Sequence, residues 1–150
     1  MTPNVRFSRF SGLLCVVAAL GLAGCAETPT GPSSGAPYSQ VDLRLGTGAD
    51  ALTGKTVVVN YTGWLYDPTQ TDGKGLVFDT SVGQTPLTFT LGIGQVIEGF
   101  DRGVTGMKVG GARRIVIPPS LGYGSQRNNS IPAYATLVFD VELVEIVEPQ

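Results

Sequence analysis

The sequence predicts an α+β fold in which an antiparallel β-sheet packs around one short α-helix. Lys55 to Leu65 alternates, with Val57, Val59 and Tyr61 on one face and Val58, Asn60 and Thr62 on the other. Thr136 to Val147 does the same, Leu137, Phe139, Val141 and Leu143 opposing Val138, Asp140, Glu142 and Val144. Such period-two patterns mark half-buried strands of an antiparallel sheet. Only Val96 to Thr105 reads as helical, and it is short. A sheet with one apolar face and a single helix buries both by seating the helix in the sheet's concavity.

The other elements follow in turn. Leu87 to Leu91 reads as a short strand, and Ala112 to Ile117 as another, stopped by Pro118-Pro119, where backbone donors are lost. Tyr66 to Val77 reads as a solvated loop, and its lone aspartates, Asp67 and Asp72, do not form a calcium loop. Gly92-Ile93-Gly94 lacks the third glycine of a dinucleotide site, and the helix after it is too short for a βαβ unit. There are no internal repeats.

The first forty residues stand apart. Arg6 and Arg9 precede an apolar run, Leu13 to Leu22, followed by Ala23-Gly24-Cys25. The run is well short of the roughly 20 residues that a membrane-spanning helix needs and reads as the apolar region of a signal peptide. Leu22-Ala23-Gly24-Cys25 resembles the bacterial lipobox, a leucine and two small residues before a cysteine whose thiol takes a diacylglycerol. We therefore expect a signal peptide over 1–24, and over 25–40 a lipidated Cys25 with a polar tether. A globular domain is expected over 41–150. Pro29, Gly31, Pro32, Ser33, Ser34, Gly35 and Pro37 give the tether a composition that cannot bury a core. The expected location is the cell envelope, lipid-anchored. Ala26 after the cysteine favours the outer membrane or periplasm, by resemblance to Gram-negative sorting signals.

Composition excludes several function classes. The chain has no histidine, which removes histidine triads, histidine metal sites and histidine pH switches. Of its two cysteines, Cys15 lies in the signal segment and Cys25 at the lipobox, leaving the domain without a thiol for a disulfide or a metal. Without Arg6 and Arg9, eight basic residues face twelve acidic ones, a net charge of −4 with no footprint for nucleic acid. No cofactor is expected.

The segment Gly92-Ile93-Gly94-Gln95-Val96-Ile97-Glu98-Gly99-Phe100-Asp101-Arg102-Gly103-Val104 sets apolar Val96, Ile97 and Phe100 on one short turn. It carries no nucleophile and no metal-ligand cluster, so it can floor an apolar pocket but cannot itself do covalent or acid–base chemistry. Four further motifs accompany it: Val59-Asn60-Tyr61-Thr62-Gly63, Val77-Phe78-Asp79-Thr80-Ser81, Gly122-Tyr123-Gly124 and Ala135 to Leu143. In this order, over roughly residues 41 to 147, the chain resembles the FKBP-type peptidyl-prolyl cis-trans isomerases, in a bacterial lipoprotein form.

That resemblance implies a half-barrel around the helix and an apolar cleft that takes a proline ring. Its lining would be Tyr61, Phe78, Leu87, Val96, Ile97, Phe100 and Phe139, with Ile131, just before Pro132, leaning over the ligand. Tyr123 and the Ile97 N–H would hold substrate carbonyls, while Asp79 would bond Tyr61 and face the rotating imide carbonyl. Phe100 stands where many relatives have tryptophan, and Leu87 where several have phenylalanine. An arginine that often follows the aspartate is missing between Asp79 and Pro86, so Asp79 is expected to lean on Tyr61 and backbone donors. Implied partners are proline-containing polypeptides, macrolide immunosuppressants of the tacrolimus/rapamycin type, and a membrane through the lipid anchor.

The expected activity is prolyl isomerisation assisting the folding of exported proteins. A proline-binding module with little turnover is the first alternative. A chaperone is the second, disfavoured because Gly124 to Ala135 is too short to hold an inserted chaperone domain. A monomer is expected, since no long helical N-terminal dimerisation arm precedes the domain.

Overall fold

The computed structural model describes residues 35–147. The expected signal peptide, Cys25 and most of the tether lie outside the described residues. In chain order the elements are β1 (Ser39–Arg44), β2 (Thr56–Tyr66), β3 (Lys74–Thr80), β4 (Leu87–Thr90), α1 (Glu98–Val104), β5 (Ala112–Ile117), a 3-10 turn (Pro119–Leu121) and β6 (Leu137–Val147). The strands form one antiparallel sheet ordered β1-β5-β6-β2-β3, with β4 also pairing β2. This is the expected sheet with one short helix.

The alternations in β2 and β6 become the concave core. Val57, Val59, Leu137, Val141 and Leu143 are at most 1% exposed, and they pack with Leu91, Val104, Ile115 and Ile117. The period breaks once. Val58 pairs Glu145 while Val59 pairs Leu143, so Val144 is an extra residue in β6. A bulge of this kind shifts the pleat by one position, and beyond it Ile146, opposite Val57, packs against the core.

Two glycines seat α1. A Cβ on Gly99 would lie 2.5 Å from the Ile117 side chain, and one on Gly103 would lie 2.3 Å from that of Ile115. Four helical residues rise about 6 Å and two strand residues about 6.7 Å. Gly99 and Gly103 therefore pass over Ile117 and Ile115 nearly in step, and α1 runs antiparallel along β5 at close approach.

Two boundaries differ from expectation. The strand β1 begins at Ser39, and Tyr38 packs against the core, so the ordered fold reaches into the segment expected as tether. Its pattern is inverted, which hides it. Val41 and Leu43 are 60% and 49% exposed, while Asp42 turns toward Arg113 on β5. An inward charge is a common way to keep an edge strand from pairing with other chains. The second difference is β3, which starts at Lys74, inside the expected loop. Asp67 accepts from the Thr69 N–H and hydroxyl, making it a turn residue of the β2–β3 connection.

On the outer face Asp140 accepts two hydrogen bonds from Arg114, at 2.7 and 3.0 Å, and one from Lys74 at 2.6 Å. Lys74 also lies over the Trp64 ring, 4.2 Å from its centre. Burial pushes the Asp140 carboxyl up, but the bonds and charges of Arg114 and Lys74 outweigh it and hold the group below the usual carboxylate range. With the folded value below the unfolded one, the unfolded chain binds more protons in acid. The contribution is then complete above about pH 4 and lost as pH falls through the lowered value. Denaturant unfolding should show wild-type stability falling more steeply than that of Asp140→Asn below about pH 4. Parallel curves would refute this role.

Candidate active site

The cleft is built from aromatic residues on β2, β3 and β6 and on the helix. Phe100, from the first turn of α1, is 3% exposed. Its ring meets Phe139 of β6 at 5.1 Å and Tyr61 of β2 at 5.9 Å, both edge-on. Phe78 of β3 meets Phe139 at 5.5 Å, also edge-on. These separations and angles are the favourable ones for ring quadrupoles. Four of the sequence-predicted lining residues thereby form one connected cluster centred on Phe139.

A bulge explains how Phe78 and Asp79, neighbours in sequence, reach the same side of the sheet. Gly63 pairs Asp79 while Trp64 pairs Val77, leaving Phe78 as the extra residue. Opposite it, Gly63 has to be a glycine. A Cβ there would stand 2.6 Å from the Phe78 ring and 2.8 Å from that of Phe139.

Asp79 is exposed at the edge of the cleft. The Tyr61 hydroxyl donates to its Oδ2 at 2.5 Å, and the Thr80 N–H donates to its Oδ1 at 2.9 Å. One phenol and one backbone donor thus stand where the arginine is missing, as the sequence led us to expect. Burial, the hydrogen bond to Asp79, its negative charge and Tyr123 all push the Tyr61 phenol well above the usual tyrosine range. Tyr61 therefore stays a protonated donor at neutral pH. Tyr123 follows the 3-10 turn, packs against the core and lies close enough to Tyr61 to act on its ionisation.

Ile97 caps the start of α1, its carbonyl accepting from the N–H groups of Phe100 and Asp101. Its side chain, with those of Val96 and Leu87, is partly buried against the same cluster. Ile131 is only 5% exposed, packed into the core at a tight turn closed by Asn128, so it presents little surface here. Tyr134, three residues on, is 72% exposed with φ 59°.

Sequence reasoning missed three supporting residues. Phe89 of β4 backs the floor, 5.8 Å from Phe100 and 3% exposed; its place two residues after Leu87 on one strand face was the available signal. Gly63 was seen only as part of a motif. Ser81, 5% exposed, accepts the Tyr61 N–H at 2.9 Å on its hydroxyl, while its own N–H donates to the Tyr61 carbonyl at 2.9 Å. That double tie fixes the backbone beneath the Tyr61–Asp79 pair.

The arrangement offers a dry aromatic floor and a neutral phenol tied to a carboxylate at the rim. It suits binding and twisting a neutral amide. Comparison with known proteins agrees. Residues 48–144 match the family model described as FKBP-type peptidyl-prolyl cis-trans isomerase. The chain is 47% identical over 109 residues to an FK506-binding protein of Neisseria meningitidis serogroup A, covering 71% of this chain and 94% of that one. It is 46% identical over 99 residues to the peptidyl-prolyl cis-trans isomerase FKBP15-3 of Arabidopsis thaliana, 66% of this chain and 65% of that one. Among solved structures, AtFKBP13 aligns with TM-score 0.63 at 33% identity, over 73% of this chain and 93% of the other. FkpA from Escherichia coli aligns with TM-score 0.60 at 40% identity, over 73% of this chain and 47% of the other. With the family model spanning most of the described domain and the same fold in its relatives, this chain belongs to the FKBP-type peptidyl-prolyl cis-trans isomerases.

Proposed function

We propose that this isomerase works from a lipid anchor at the cell envelope, through Cys25, and turns prolyl bonds in exported polypeptides as they fold. The observation that carries the catalytic part is the aromatic floor of Tyr61, Phe78, Phe100 and Phe139 beside a Tyr61–Asp79 pair. The lipobox carries the anchoring part.

The chemistry follows from the amide. Rotating a peptide bond costs about 18–20 kcal/mol because twisting breaks resonance, and the uncatalysed prolyl step takes about 10–100 s. Reaching roughly 10³ turnovers per second calls for on the order of 6 kcal/mol. A twisted amide carries less charge on its oxygen than a planar one. A cleft that excludes water therefore penalises the planar ground state more than the twisted state, and that difference is the catalysis. The ring fills the floor over Phe100. Tyr123 hydroxyl and Ile97 N–H hold flanking carbonyls, and Asp79 faces the rotating carbonyl. Val96, Leu87 and Phe139 complete the wall. The chain acts as a monomer, and the same cleft accepts macrolides of the FK506 type. The N. meningitidis relative's name, FK506-binding protein, supports that reading.

Two experiments test this. NMR exchange on proline tetrapeptides should show rapid turnover by the full chain; tight binding without turnover would reduce the site to a binding module. For the anchor, Cys25→Ser should abolish fatty-acid labelling in cells and impair signal processing. Equal label in wild type and variant would rule the anchor out.

A further inference from the structure

Resting on the reading of Ile97 and Phe100 as pocket floor, we propose that Arg113 is a positioning residue for isomerisation, clamping the far end of α1 from beneath. Arg113 sits on β5 in the concave face, only 9% exposed. Its Nη1 donates to the carbonyls of Gly103, at 2.9 Å, and Thr105, at 3.3 Å. These are carbonyls at the C-terminal end of α1, left without helical partners. A cation there also suits the negative end of the helix. Its Nε donates to Asp42 of β1 at 2.6 Å.

The clamp is in line with the rest of the helix seat. Gly99 rides over Ile117, Gly103 over Ile115, and the last carbonyls over Arg113, all on alternate residues of β5. The first two contacts are close approaches of small residues, which set the depth of the helix but allow it to slide. Arg113 supplies directional bonds that fix its position along the strand. A second tie from the β1 side acts on the same turn, where Arg102 of α1 lies 5.0 Å from the centre of the Tyr38 ring. The sheet rung also runs straight to the site: Asp42 pairs Arg113, Arg113 pairs Val141, and Val141 pairs Tyr61. A helix of seven residues with no side-chain cap at its start has little rigidity of its own. Its placement is therefore set by this seat, and with it the position of Phe100 against Tyr61 and Phe139. Displacement of a catalytic surface by an ångström costs up to about a hundredfold in rate.

The test measures kcat and KM on a proline tetrapeptide for the full-length chain, well below each variant's unfolding temperature. Arg113→Met keeps the stem and removes every donor. It should lower kcat about tenfold with KM within about twofold. Arg113→Lys, which keeps a cation under the helix carbonyls, should regain most of the loss. Leu143→Ala, a fully buried core change on β6, should lower stability and leave kcat unchanged. Unchanged kcat in Arg113→Met, a lysine variant as poor as methionine, or an equal kcat loss in Leu143→Ala would overturn the clamp. Should Arg113→Met fail to fold, Asp42→Asn decides, with kcat about threefold down expected and an unchanged kcat fatal. Phe100→Leu run alongside separates the two readings. Full kcat there sinks the pocket itself, whereas impaired Phe100→Leu beside normal Arg113→Met sinks only the clamp.

Discussion

Replacing Phe100 with alanine should cost about 3–5 kcal/mol of stability and most of the turnover. The ring is 3% exposed and contacts Tyr61, Phe89 and Phe139 edge-on or tilted. Truncation leaves a cavity that three stiff rings cannot easily fill, and it opens the floor to water, which is the condition the mechanism excludes. Phe100→Trp should instead fold and keep activity, since the family commonly carries tryptophan at this position. Denaturant unfolding and tetrapeptide turnover check both. A tryptophan variant that folds but does not turn over would contradict the placement of the floor.

Asp79 should behave as a fixed polar group whose charge is only part of its value. Asp79→Asn keeps one acceptor oxygen, able to take the Tyr61 hydroxyl at the cost of the Thr80 N–H bond, and should retain part of the activity. Asp79→Leu orphans the Tyr61 phenol, whose bond to a carboxylate is worth about 1.5–3 kcal/mol. Its turnover should fall about ten- to hundredfold. The phenol itself offers an independent readout. In Asp79→Asn the ultraviolet titration of Tyr61 should move down, as the negative charge is lost and the hydrogen bond becomes a weaker neutral one, yet remain above the ordinary tyrosine value because burial is the largest cause of the rise. Equal activity in the asparagine and leucine variants would mean that the Tyr61–Asp79 bond has no part in turnover.

The parts of the fold legible in the sequence were those where polarity and burial agree. In β2 and β6 apolar residues alternate inward, and α1 carries Phe100 directly after Val96 and Ile97, so pattern and structure coincide there. The edge strand β1 was hidden because its apolar Val41 and Leu43 face out while Asp42 faces in to Arg113, a choice that only the neighbouring strand explains. At the site, Tyr61, Phe78, Phe100 and Phe139 came from motif resemblance, and the structure places their rings in contact. Supporting residues were harder to see, since Gly63 and Ser81 act through space left empty and through backbone bonds. Bulges at Phe78 and Val144 shift the pleat without leaving a local signal in composition.

The central claim is that rotation proceeds without proton transfer, and the pH profile of turnover tests it most directly. Tyr61 is held protonated well above its ordinary range, and the domain has no histidine to titrate near neutrality. By NMR exchange on a proline tetrapeptide, kcat/KM should be flat from roughly pH 6 to 8. A bell-shaped profile with an apparent pKa near 7, in enzyme shown to stay folded across that range, would mean that a proton moves in the transition state and would contradict catalysis by desolvation.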